Sequence, residues 1–204
     1  AAVEAALRSL PRARGAAEGV GGAFLSGAPP PCATPAQRDA ELQSDAYRRM
    51  LPQRRRLPTF AAAAEIIAAV DAERVTLVLG ATGCGKTTQV PQILLEHAER
   101  EGSRVRIVAS QPRRLSATAV AERVASERGG TLGGRVGYKI RFEDRCGADT
   151  RLLFCTVGVL LKALRSNATL SGARFYNLYT ICIQSVYPLY ILCISSVYPL
   201  CIQT

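Results

Sequence analysis

In 204 residues the chain has one histidine, one methionine and three lysines, and no acidic residue follows Asp149. The lone His97 lies near the polar end of a helical run, which reads as a solvated helix residue rather than a base or a metal ligand. Seven cysteines are scattered without a CxxC pair, which argues against both a zinc site and a disulfide framework. A reducing, intracellular compartment, cytoplasmic or nuclear, fits that usage. The stretch beyond Asp149 has no carboxylate with which to hold a metal or steer a water. The chain opens on Ala1 and its one methionine is Met50, so the expectation is a fragment or an incomplete gene product.

What is abundant is arginine, 23 against three lysines, within a net charge of +10. Such a balance suits a polyanionic partner such as nucleic acid; a GC-rich coding sequence yields the same Arg and Ala excess, and both readings stand. Residues 1–45 are rich in Ala, Gly and Pro, with Gly19, Gly21, Gly22 and Pro29-Pro30-Pro31 interrupting any helix. They read as a disordered or linker segment. From Asp45 the chain turns basic and proline-punctuated, through Arg48-Arg49 and Arg54-Arg55-Arg56 to Pro58. Thr59 to Val70 then has helical spacing of Phe60, Ala63, Ala64, Ile67 and Val70.

The stretch with the most chemistry is Gly80-Ala81-Thr82-Gly83-Cys84-Gly85-Lys86-Thr87. It follows the apolar run Val75–Leu79 and opens into a helix-like run from Thr88 to Glu99, the strand–loop–helix context of a phosphate-binding loop. The glycines let successive backbone N–H groups curl toward one centre, and the helix N-terminus adds its positive end. Lys86 would reach the β- and γ-phosphates, and the Thr87 hydroxyl would complete a Mg²⁺ shell. The candidate nucleotide-binding set is therefore Gly80, Ala81, Thr82, Gly83, Cys84, Gly85, Lys86, Thr87 and Thr88, with ATP and Mg²⁺ as the expected cofactors.

Beyond Gly102 the sequence predicts a strand over Arg104–Ala109 and a helix to about Arg128 with Ala119, Val120 and Val124 inward. Strands over Val136–Phe142 and Leu152–Cys155 and a short helix to Arg165 follow. Glu143-Asp144 reads as a turn at a strand end. Strands alternating with helices around a phosphate loop indicate a parallel α/β sheet of the RecA-like kind.

Three runs carry a resemblance to a known family. Gly83 to Gln92 looks like the first motif of DEAH-box (DExH) ATP-dependent RNA helicases, Gln111-Pro112-Arg113-Arg114-Leu115-Ser116-Ala117 resembles their motif Ia, and Thr156 to Leu161 resembles their motif Ib. The resemblance covers about residues 46–172, the N-terminal portion of the first RecA-like lobe. It implies that Arg113 and Arg114 grip single-stranded RNA backbone phosphates, that Thr156 and Gly158 make a second backbone contact, and that Arg123 stacks against adenine. Ala81, where much of the family has Glu, and Val157, usually Asp or Thr, depart from the pattern.

The family's next motif, Asp-Glu-x-His, would lie shortly after Gly172, and its carboxylates manage Mg²⁺ and the attacking water. None is present here, nor is the second lobe. Residues 173–204 are instead a charge-poor tail with an eleven-residue repeat, Ile181–Leu189 against Leu192–Leu200, that reads as intron read-through or a frameshift. A membrane span over Leu178–Ile202 is the disfavoured rival, because Pro188 and Pro199 would break it twice. Asn167-Ala168-Thr169 matches a glycosylation sequon by chance.

The expectation is thus a disordered 1–45, a truncated helicase ATP-binding domain at 46–172 and a non-family tail. The parent would be an ATP-dependent RNA helicase, and this chain would bind nucleotide weakly with negligible turnover. The alternatives are a non-catalytic nucleotide- or RNA-binding product, or a small P-loop kinase.

Overall fold

The computed structural model describes residues 31–73, 75–166, 174–181 and 189–194. Four helices come first: α1 (Pro35–Gln43), α2 (Asp45–Arg55), α3 (Pro58–Ala61) and α4 (Ala63–Ala72). An alternation follows of β1 (Val75–Gly80), α5 (Lys86–Arg100), β2 (Val105–Gln111), α6 (Arg114–Glu127), β3 (Val136–Ile140), β4 (Glu143–Arg145), β5 (Leu152–Thr156) and α7 (Val157–Ser166). Strands β6 (Arg174–Ile181) and β7 (Leu189–Ile194) complete it.

One seven-stranded sheet runs β1-β7-β6-β2-β5-β3-β4. Pairs β6–β2, β2–β5 and β5–β3 are parallel, while β1–β7, β7–β6 and β3–β4 are antiparallel. Five strands therefore point one way, with only β7 and β4 reversed. The α/β class with a mostly parallel, helix-flanked sheet is as the sequence predicts. Every residue of β2 is buried, as a central parallel strand covered on both faces requires. Around it Val90, Leu94 and Leu95 of α5, Ala117, Ala121 and Val124 of α6, Tyr138, Leu152 and Phe154 form the core.

Several local expectations are corrected. Within the stretch expected to be linker, α1 forms, capped by Thr34: its hydroxyl accepts from Gln37 N (3.2 Å) while Thr34 N donates to Gln37 Oε1 (2.9 Å). It buries no residue, so no apolar period announces it. The basic stretch after it is α2, capped by Ser44 and buried at Tyr47 and Arg54. The single helix expected over Thr59–Val70 breaks at Ala62 into α3 and α4.

On α6 the inward stripe is Ala117, Ala121, Val124 and Ala125, while Ala119 is exposed. Alanines on both faces blur the helical period there. Glu143-Asp144 is strand β4 rather than a turn, with Asp144 paired to Lys139 at 3.0 Å and Glu143 accepting from the Tyr138 hydroxyl. The turn lies one residue earlier, at Phe142, which has φ 68° and is exposed beneath the Arg141 guanidinium. His97 is not free: its Nε2 lies 2.9 Å from Asp71 Oδ2.

Most of the tail repeat, the sequon and residues 1–30 lie outside the described residues. Among the described residues no helix is long and apolar enough to cross a membrane.

Candidate nucleotide site

Strand β1 ends at Gly80, and the chain turns through two left-handed glycines, Gly83 (φ 83°) and Gly85 (φ 96°), into α5. Only glycine adopts such angles without strain. At Gly83 nothing lies within 4 Å of where a side chain would start, so the loop is open on that side. A side chain on Gly85 would meet Leu57 Cδ1 at 2.9 Å and Gln89 Cγ at 3.1 Å.

Inside this turn Lys86 is 4% exposed, and its ammonium donates to Gly80 O (2.6 Å), Ala81 O (2.8 Å) and Cys84 Sγ (3.4 Å). All three acceptors are neutral in their ordinary state, and among the described residues no carboxylate pairs with it. A buried cation satisfied only by dipoles retains a strong attraction for an arriving anion. The half-buried Cys84 thiol lies against the same ammonium. Partial desolvation pushes its pKa up, but hydrogen bonds with Thr59 and Lys86 outweigh the effect and bring it below the ordinary thiol value. Thr59 also fastens the loop, donating to Cys84 O through its hydroxyl (2.7 Å) and its N–H (3.3 Å).

A cleft of about 370 Å³ opens over the loop, lined by Leu57, Thr82, Gly83, Gly85, Lys86, Thr87, Thr88, Arg123 and Glu127. Six of the nine expected loop residues thus share one cavity with Arg123, which comes from a different helix. Gly80, Ala81 and Cys84 do not line it; they form the floor on which Lys86 rests. The donor set fits a magnesium–triphosphate: a buried lysine, an open glycine turn and Thr87 among the lining residues.

Arg113, Arg114, Thr156 and Gly158 gather at a second place. Parallel register pairs Gln111 with Thr156, so the ends of β2 and β5 emerge side by side. Arg113 caps α6 and Arg114 begins it, both exposed, and Gly158 is exposed with nothing within 4 Å of a would-be side chain. Two guanidinium groups and an open backbone at one sheet edge suit a phosphate chain.

Absent from the expected set are Leu57 and Glu127, which line the cleft, and Arg54 and Gln89, which support it. Arg54 of α2 is 1% exposed, its Nε donating to Gln89 Oε1 at 2.8 Å and its Nη2 lying 3.1 Å from Glu96 Oε1. The available signal was polarity: Gln89 and Glu127 are hydrophilic residues on helix faces that otherwise turn to the core.

Strand, glycine turn and helix on a mostly parallel sheet define a RecA-like P-loop lobe. No family model matches the chain. It is 48% identical over 126 residues to the DExH-box ATP-dependent RNA helicase DExH3 of Arabidopsis thaliana, covering 61% of this chain and 10% of that protein. It is 41% identical over 140 residues to DExH6 of the same plant, covering 67% and 11%. To the ATP-dependent RNA helicase DHX30 of Gallus gallus it is 48% identical over 110 residues, covering 52% and 9%. The chain resembles DExH/DEAH-box ATP-dependent RNA helicases in aligned sequence as well as in motifs, over part of the helicase region. It spans about a tenth of the length of these curated relatives.

Proposed function

We propose that this chain is the nucleotide-binding part of an ATP-dependent RNA helicase, taking ATP with Mg²⁺ over the Gly80–Thr88 loop. Single-stranded RNA would run along Arg113, Arg114, Thr156 and Gly158. The observation that carries the reading is Lys86: a buried ammonium with only neutral acceptors, opening into a cleft shared with Arg123. Lys86 supplies the charge that draws the triphosphate in, the glycine turn lets the backbone approach it, and Arg123 meets the far end of the nucleotide. Mg²⁺, when bound, would neutralise phosphate charge through the Thr87 hydroxyl.

Hydrolysis is a separate matter. Among the described residues Glu127 is the one carboxylate lining the cleft, and its oxygens are occupied by Gln89, Gln92 and Arg123. No carboxylate follows Asp149. Our reading is that these residues hold nucleotide without turning it over, and that the parent enzyme, an intracellular protein, hydrolyses ATP with groups from elsewhere.

The test is ATP binding to the purified chain with and without Lys86→Ala, alongside RNA-stimulated ATPase. Binding that falls at least about tenfold in the variant, with no turnover in either, supports the reading. Lys86-dependent turnover overturns the second half of it, and Lys86-independent binding overturns the first.

A further inference from the structure

Glu127 is 2% exposed at the back of the cleft and accepts three hydrogen bonds. Gln89 Nε2 (2.9 Å) and Gln92 Nε2 (2.8 Å) share its Oε2, while Arg123 Nε reaches its Oε1 at 2.7 Å. The amide of Gln89 cannot turn round, because Arg54 Nε donates to its oxygen at 2.8 Å and its nitrogen also donates to the Thr88 hydroxyl at 3.0 Å. Arg54 Nε itself lies 3.9 Å from Glu127 Oε2, and its guanidinium carbon is 5.3 Å from the Tyr47 ring centre and 5.9 Å from that of Phe60. The Gln89 amide that holds Glu127 is thus itself held, by Arg54 on one side and Thr88 on the other.

Arg123 sits differently. Its side chain is 54% exposed, and Glu127 is its one partner among the described residues. The grip is through Nε, which fixes the direction of the guanidinium while leaving its η nitrogens without a partner among the described residues, on a side chain that lines the cleft.

We propose that Glu127 is a positioning residue that aims Arg123 at the nucleobase end of a bound nucleoside triphosphate, with Arg54 of α2 as its buried counter-cation. The helical segment preceding the sheet is then part of the nucleotide site, acting through Gln89 and Glu127 rather than by touching ligand. This rests on reading the cleft as a nucleotide site.

The experiment compares Mg²⁺–ATP with Mg²⁺–tripolyphosphate, which lacks base and sugar, on the full chain by calorimetry. Glu127→Gln keeps the shape but removes the charge that draws in Arg123. The expected result is ATP affinity lowered about tenfold, tripolyphosphate affinity unchanged, and the Glu127→Gln/Arg123→Ala double variant no weaker than Arg123→Ala alone. Equal weakening of both ligands marks a purely structural role and overturns the proposal, as does an unchanged ATP affinity. If Glu127→Gln loses its cooperative melt, Glu127→Asp keeps the charge but shortens the reach. The same base-selective loss is expected, and an unaltered ratio of the two affinities refutes the idea. Wild-type chain that binds neither ligand overturns the nucleotide-site reading itself, whereas wild type that binds both equally overturns only the role given to Arg123 and Glu127.

Discussion

Glu41 Oε1 lies 2.7 Å from Arg128 Nε, joining α1 to the residue that follows α6. The same carboxylate pairs with Arg135, and Arg128 also reaches Glu96 at 3.3 Å. Because α1 buries no side chain, these ion pairs and its two caps do the work that an apolar stripe does elsewhere.

Replacing Glu41 by Ala should therefore release α1 more than it unfolds the sheet. The expected cost is about 1–2 kcal/mol, at the low end for a paired carboxylate because Glu41 is partly solvated. Amide exchange over residues 35–43 should quicken while β2 stays protected. Exchange that rises equally in both would show that α1 is integral to the fold.

Gly85→Ala should be costly for two separate reasons. A left-handed angle is strained for alanine, and the new methyl would press on Leu57 and Gln89. A loss of about 1–3 kcal/mol is expected in a melting experiment. Gly83→Ala shares the angle but meets open space, so it should cost visibly less; equal losses would point away from the Leu57 contact.

Thiol alkylation followed by peptide mapping should mark Cys84 ahead of Cys146 and Cys155. Its pKa is lowered despite partial desolvation, whereas burial pushes Cys146 up to about 11 and Cys155 to about 12. At mildly alkaline pH Cys84 therefore has the largest thiolate fraction of the three and should react first with iodoacetamide. Lys86→Ala removes one source of that shift and should slow the reaction. An unaltered rate would mean that the ammonium does not activate the thiol.

Acid should find Glu127. Burial works to raise its pKa, but hydrogen bonds from Gln89, Arg123 and Gln92 outweigh that and hold it below the usual carboxylate value. A depressed folded pKa means that the stabilisation is complete above the unfolded value of about 4.3 and disappears as pH falls through the folded one. Glu127→Ala should cost about 2–3 kcal/mol at neutral pH, because it leaves two buried amides short of an acceptor. Its stability should then fall less steeply than wild type between neutrality and acid, as measured by urea melts at stepped pH.

What could be read in advance was what local chemistry writes into adjacent residues. Gly83, Gly85 and Lys86 announce a phosphate loop because a turn and a cation are needed within a few positions of each other. The buried strand β2 is legible because its apolar run is bounded by Gly102 and Pro112. The Arg54–Gln89–Glu127 chain was not legible, since it joins three helices whose contact exists only once the sheet is assembled. The strand expected over Val136–Phe142 ends at Ile140, because the β3–β4 hairpin needs its turn at Phe142. The helix α1 escaped because its evidence is the Thr34–Gln37 capping box and a distant pair of arginines rather than a periodic face.

The order of strands has a geometric consequence. The glycine loop leaves β1 and the arginine pair follows β2, and the two strands are not neighbours: β7 and β6 stand between them. At ~4.8 Å per strand step, the two loops start roughly 14 Å apart along the sheet edge. Strands β6 (Arg174–Ile181) and β7 (Leu189–Ile194) thus act as a gauge block between the glycine loop and the arginine pair. Removing a single strand from that gap would bring Lys86 and Arg113 closer by about 5 Å, with neither residue altered.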